Sequence, residues 1–158
     1  MVKPKQDEKL YTERDDIEKI QSNWRKIKGL LGNEEWSSAI VRAVTATEIA
    51  ANLVIREELI DCRNLDAKLV DHFLRWANGI QGKFDKLIIP TIVGKGHAKS
   101  FKALRKQIED INLARNSIVH TGSFSSGSAS RKIVSEAKVV IEALIEPYYD
   151  NFKLKDLS

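Results

Sequence analysis

Apolar residues recur every three or four positions along most of this chain, and the strict alternation of a β-strand is almost absent. Helices that each carry one apolar stripe can bury it only against one another, so the pattern constrains the fold to an all-α, mostly up-and-down bundle. Four to five helices are expected. The first covers about residues 14–31, with Ile17, Ile20, Trp24, Ile27 and Leu31 as its seam and Gly32 as its stop. The second runs from an N-cap at Asn33 to about Ile60; it is alanine-rich and apolar on most sides, as a central helix must be. A third spans about 65–89, with Leu69, Phe73, Trp76, Ala77, Ile80, Phe84 and Leu87 on one face and Pro90, Gly94 and Gly96 beyond it. The fourth covers about 97–119. The fifth covers about 129–147, with Ile133, Ala137, Val140, Ile141 and Leu144 as its seam. Between them, the small residues from Thr121 to Ser130 read as a mobile linker. Trp24, Trp36 and Trp76 all fit core seams, and no internal repeat is seen.

The chain has 158 residues, which suits one domain over 14–150 between a flexible tail at 1–13 and a C-terminal tail at 151–158. Its one cysteine, Cys62, excludes an intramolecular disulfide and a cysteine-cluster zinc site. The N-terminus does not read as a signal peptide, and the longest apolar-leaning stretch, Ala39 to Ile55, is interrupted by Arg42, Glu48 and Asn52. The expectation is a cytoplasmic protein that does not engage a membrane.

Net charge is only +4, but it is unevenly spread. Residues 34–66 hold seven acids against three bases, whereas 67–116 hold ten bases against four acids. Lys95, Lys99, Lys102 and Lys106 are spaced four, three and four apart, so that where helical they share a face. Lys102 and Lys106 each precede Asn116 and His120 by fourteen residues, within about 40° of them around an ideal helix. Such a stripe suits a phosphate backbone held without reading its sequence; the alternative is an ordinary solvated face.

The most informative departure from the pattern lies in the fourth helix. Its apolar stripe runs Phe101, Leu104, Ile108, Ile111, then Arg115, then Ile118. A guanidinium in register with a core stripe needs a partner or an opening onto a cleft. Asn116 follows it, and His120 lies four residues after Asn116 on the same face. Arg115 and His120, five apart, splay on a regular helix; a tightened last turn before Gly122 would bring them together. Guanidinium, amide and imidazole suit phosphodiester chemistry, in which arginine grips phosphate oxygens and histidine moves protons near neutrality. The structural alternative pairs Arg115 with an acid of the second helix, such as Glu48, and leaves His120 as a helix C-terminal cap.

Arg115-Asn116-Ser117-Ile118-Val119-His120, late in a bundle helix and followed by Gly122 and one more amphipathic helix, resembles the signature of the HEPN family, the "higher eukaryotes and prokaryotes nucleotide-binding" domains. The alanine-rich segment Ala43 to Asn52 is similar to that family's second helix, and the likeness covers about 35–146. It implies a metal-independent endoribonuclease without cofactor, working as a homodimer on RNA, with Arg115, Asn116 and His120 in the catalytic roles. It also implies the family's other form, a non-catalytic module that binds a nucleotide, a nucleic acid or a protein. Some members are toxins or defence components paired with an antitoxin; where those carry a modifiable tyrosine two positions after the histidine, this chain has Gly122.

Glu48, Asn52 and Arg56 recur at four-residue spacing on the second helix, with Thr45 beside them; they are either supporting partners for Arg115 and His120 or that helix's exposed strip. Gly94-Lys95-Gly96 lacks the spacing and preceding strand of a phosphate loop. His72, His97 and Cys62 have no neighbours in sequence that suggest metal binding or nucleophilic chemistry.

Overall fold

The computed structural model describes residues 15–122 and 125–157; the expected N-terminal tail and positions 123–124 of the expected linker lie outside the described residues. Among the described residues the chain is helical, without strands. Helix α1 (Asp16–Gly32) is capped by the Asp15 carboxylate, which accepts from the Glu18 N–H at 2.8 Å. It buries Ile20, Trp24, Ile27 and Leu31, as its periodicity requires. Asn33 closes α1 rather than opening the next helix: its N–H donates to the Gly29 carbonyl.

The central helix α2 (Trp36–Arg56) continues through a π-helical turn, Glu57–Asp61. Ala39, Ala43, Ala46, Ala50 and Ala51 are wholly buried, and their small side chains let α1 and α8 (Gly127–Ile145) approach along two sides. By length and composition Trp36–Asp61 is apolar enough to cross a membrane, yet most of it is covered by the other helices, as a core helix is. α8 begins at Gly127, inside the expected linker, because the Ser126 hydroxyl caps it and the Ser130 hydroxyl donates to the Trp36 carbonyl. Its seam is buried as expected, with Val134 and Ile145 added.

The expected third helix is in fact two pieces: α3 (Ala67–Trp76), and an unbroken run of α4 (Gly79–Lys83), a π-helical turn (Phe84–Ile88) and α5 (Ile89–Thr91) that continues past Pro90. The break at Ala77–Asn78 is held by Lys83, whose buried ammonium donates to the carbonyls of Leu74 (2.9 Å) and Ala77 (3.1 Å). A cation on the open carbonyls of a helix C-terminus satisfies them as a continued helix would. The rotation at the corner changes which face is buried. Val70 and Leu74 point inward, whereas Leu69 is exposed at 43% and Trp76 at 59%, contrary to the expected seam. Trp24 is buried and Trp36 half-buried, so of the three tryptophans only Trp76 leaves the core.

The expected fourth helix is also divided. α6 (Ala98–Lys102) and α7 (Arg105–Thr121) meet at a turn over Ala103–Leu104, where Phe101 and Leu104 both insert into the core. Residues 151–157, expected to fray, instead lie against the bundle. Leu154 is buried, its N–H donates to Glu142 Oε1 (2.9 Å), and the Trp24 indole donates to the Lys155 carbonyl (3.0 Å).

Candidate functional site

α7 carries the Arg115–His120 segment. Ile108 and Ile111 are fully in the core, Arg115 is half-buried, Ile118 packs partly against the core, and His120 is exposed. Arg115 therefore does stand on the apolar stripe, at the end where the stripe emerges. No hydrogen bond or ion pair joins its guanidinium to another described residue, and the expected alternative of a Glu48 partner does not form. Asn116, half-buried, and His120 likewise make no side-chain hydrogen bond to a described residue.

The expected tightening of the last turn does not occur. α7 stays α-helical through Thr121, and the left-handed residue that ends it is Gly122 (φ 62°), beyond His120. Arg115 and His120 thus remain about 140° apart around the helix axis. Asn116 sits between two exposed apolar neighbours on its face, Leu113 (63% exposed) and Val119 (53%).

Glu48 and Asn52 do not support the motif residues. Glu48 lies near Lys83, whose pKa is lowered chiefly by burial while the Glu48 charge pulls it back up and Arg56 lowers it further. The Arg56 guanidinium is held by Asp16 (3.0 Å) and Asp71 (3.9 Å), and the buried Asn52 Oδ1 has no hydrogen-bond partner. Thr45 donates to the Val41 carbonyl of its own helix. Of this strip, Glu48 faces Lys83 of α4 and Arg56 faces α1 and α3.

The lysine stripe is divided by the α6–α7 turn. Lys99 and Lys102 lie exposed on α6 without an ion-pair partner among the described residues. Lys106, on α7, donates to Asp110 Oδ1 at 2.8 Å, which raises the lysine's pKa and lowers that of the aspartate. Lys95 sits in the turn before α6, its ammonium 3.6 Å from Glu58 Oε2.

That glutamate is the centre of a cluster which the spacing of motifs did not suggest. Glu58 lies in the π-helical turn after α2, only 1% exposed. Tyr148 donates to its Oε1 at 2.6 Å, His97 Nε2 lies 3.4 Å from the same oxygen, and Arg63 Nη1 lies 3.4 Å from Oε2. His97 is also 3.2 Å from the Tyr148 hydroxyl, and Arg63 Nη2 donates to the Thr91 carbonyl at 2.6 Å. Burial alone would raise the Glu58 pKa; the Tyr148 hydrogen bond and the charges of Lys95, His97 and Arg63 outweigh it and hold the carboxyl below its usual value. Burial, then the hydrogen bond to Glu58, push the Tyr148 phenol well upward. Both carboxylate oxygens are engaged, so the cluster works as a clamp joining the end of α2, the turn before α6 and the segment after α8. The signal available in the sequence was the one that marks Arg115: Thr47, Ala51 and Val54 are buried at helical spacing, and Glu58 is the next position of that stripe.

Between the last turns of α7 and the start of α8 lies an open groove of about 500 Å³, with Ile40, Ile118 and Ile133 as apolar lining and Ser117 and Lys132 as polar lining. Arg115, Asn116 and His120 do not line it.

No protein family, curated protein or solved structure matches this chain.

Proposed function

We propose that this chain is a HEPN-type endoribonuclease domain that cleaves RNA without a metal ion. The observation that carries the reading is Arg115 itself, a half-buried residue on the apolar stripe of α7 whose guanidinium has no counter-charge among the described residues. Its donors are not taken up by an internal partner, so the fork remains available to grip a phosphate.

In the proposed reaction the substrate's own 2′-hydroxyl loses its proton and attacks the adjacent phosphorus. The bond to the 5′-oxygen of the next nucleotide breaks, leaving a 2′,3′-cyclic phosphate and a 5′-hydroxyl. His120 moves the proton, and Arg115 and Asn116 hold the phosphoryl oxygens as negative charge builds in the transition state. Because Arg115 and His120 point about 140° apart on one helix, the site is composite. A second copy meets the first across the face bearing Leu113, Asn116 and Val119, and the two motifs line one groove.

A second reading, a non-catalytic HEPN-like module that binds a nucleotide, a nucleic acid or a protein, draws on one observation. No described residue hydrogen-bonds the His120 ring, so nothing within the chain orients it for proton transfer. Cleavage of a fluorogenic RNA in EDTA, abolished in His120→Ala, supports the enzyme. RNA binding with no cleavage by the unaltered chain supports the module. Light scattering that shows a single chain at all concentrations, with RNA or without, would remove the composite site.

A further inference from the structure

Trp76 is the largest side chain that the fold leaves in solvent, at 59% exposure, and tryptophan is ordinarily well covered. Its backbone is firmly held. The Ala77 N–H donates to the Phe73 carbonyl at 2.9 Å, and the buried Lys83 ammonium grips the carbonyls of Leu74 and Ala77. The corner that carries the indole is packed against the motif helix: a Cβ on Gly79 would lie 4.0 Å from Asn112 Oδ1, and Asn112 Nδ2 donates to Gln81 Oε1 at 3.0 Å. Asn112 stands one turn before Asn116, and Gly79 follows Trp76 by three positions, a reach of at most about 10 Å between their backbones. The indole is therefore within a few nucleotides of Asn116 along an extended strand.

The charges around the ring favour a polyanion over another apolar surface. The Lys86 ammonium lies 4.8 Å from the ring centroid, and Lys68 and Arg75 are exposed on the same short helix. The neighbouring acids are already engaged, Asp85 by Arg105 (2.9 Å) and Asp71 by Arg56 (3.9 Å). An exposed indole on a held backbone, with a lysine against it, is an arrangement on which single-stranded nucleic acids stack their bases.

We infer that Trp76 is a stacking platform for one base of a single-stranded RNA, with Lys86 pairing a phosphate beside it. This rests on the RNA-directed reading of Arg115–His120 and adds a subsite to it. The test uses a fluorescently labelled 2′-O-methyl oligouridine, which lacks the attacking hydroxyl, and an abasic strand of equal length and charge. By anisotropy the unaltered chain should bind the base-bearing strand more tightly than the abasic one. Trp76→Ala should weaken binding of the base-bearing strand about tenfold and erase that difference, while Trp76→Phe keeps most of it. Equal affinity of Trp76→Ala and the unaltered chain for oligouridine overturns the platform and leaves the Arg115–His120 reading intact. Failure of the unaltered chain to bind any strand overturns both. A loss of mass in Trp76→Ala by light scattering would place the indole against a second copy and overturn the stacking role.

Discussion

Glu58 and Arg115 each interrupt an apolar stripe in this protein, and the fold treats them oppositely. Glu58 is the most deeply buried charge among the described residues, with a tyrosine, a histidine, an arginine and a lysine converging on its two oxygens. Arg115 is left half-covered at the end of α7 with no partner among the described residues. In the first case residues of catalytic type consume one another's hydrogen-bonding capacity, and the result is cross-linking of distant segments. In the second the capacity is unspent. Residue type alone, which makes the Glu58–His97–Tyr148 cluster look the more chemical of the two, is therefore a poorer guide than whether the groups are already satisfied.

The largest expected effect is at Glu58. Glu58→Ala leaves Tyr148, Arg63 and Lys95 without their common acceptor, and removal of one member of a buried ion pair costs about 3–5 kcal/mol. Denaturant titration should show that loss, while RNA cleavage per folded molecule stays unchanged. A stable variant without activity would exchange the roles assigned to the two regions.

Arg115→Ala should do the reverse. Turnover at saturating RNA falls by about two orders of magnitude, as loss of one donor to a developing charge commonly causes. Stability should move by no more than about 0.5 kcal/mol, since no internal partner is stranded. A variant that unfolds yet retains activity per folded molecule makes Arg115 structural.

How far these two regions were legible in the sequence follows from where their partners come from. α1 and α8 are readable because each buries one regular stripe, α2 because it is apolar on most sides, and the interruption of a stripe marks Arg115 without any knowledge of its surroundings. The corner at Ala77–Asn78 and the turn at Ala103–Leu104 were not readable, because the apolar spacing continues across both. What divides the first is Lys83 reaching back to the carbonyls of Leu74 and Ala77, a contact that no local propensity encodes. Trp76 was misplaced for the same reason. The Glu58 clamp draws on residues from the two ends of a long stretch, 51 positions separating His97 from Tyr148, so only the misfit of Glu58 itself was visible beforehand.

Acid titration should separate the two side chains at smaller amplitude. The folded-state pKa of Glu58 is depressed, so its contribution is complete above the usual carboxylate range and is lost as pH falls through the lower folded value. Glu58→Gln should flatten that acid limb of stability. Tyr148→Phe removes one hydrogen bond to a charged acceptor, a loss of about 1.5–3 kcal/mol near neutrality, and should move the acid limb to higher pH. An acid limb unchanged in both variants would mean that Glu58 is not the ionised hub.

The smallest expected effect concerns lysines that one sequence stripe joined and the fold assigns to different duties. Lys95 belongs to the clamp, 3.6 Å from Glu58; Lys106 is tied to Asp110 at 2.8 Å; Lys99 and Lys102 stand exposed on α6. Only an ammonium without a fixed carboxylate adds fully to counterion release when it meets a phosphate. The slope of log affinity against log salt should thus fall by about 1.4 in Lys99→Ala plus Lys102→Ala, taking about 0.7 per contact on a single strand between about 50 and 200 mM salt. Lys106→Ala should change it less, since Asp110 already offsets that charge, and Lys95→Ala should alter stability more than slope. Equal slopes for all four lysines would mean that RNA draws Lys95 out of the clamp and Lys106 off its aspartate, which would erase the distinction between a satisfied and an open region on this side of the bundle. A slope unchanged by the double substitution would remove α6 from the path of the strand and leave Trp76 and Arg115 to define it.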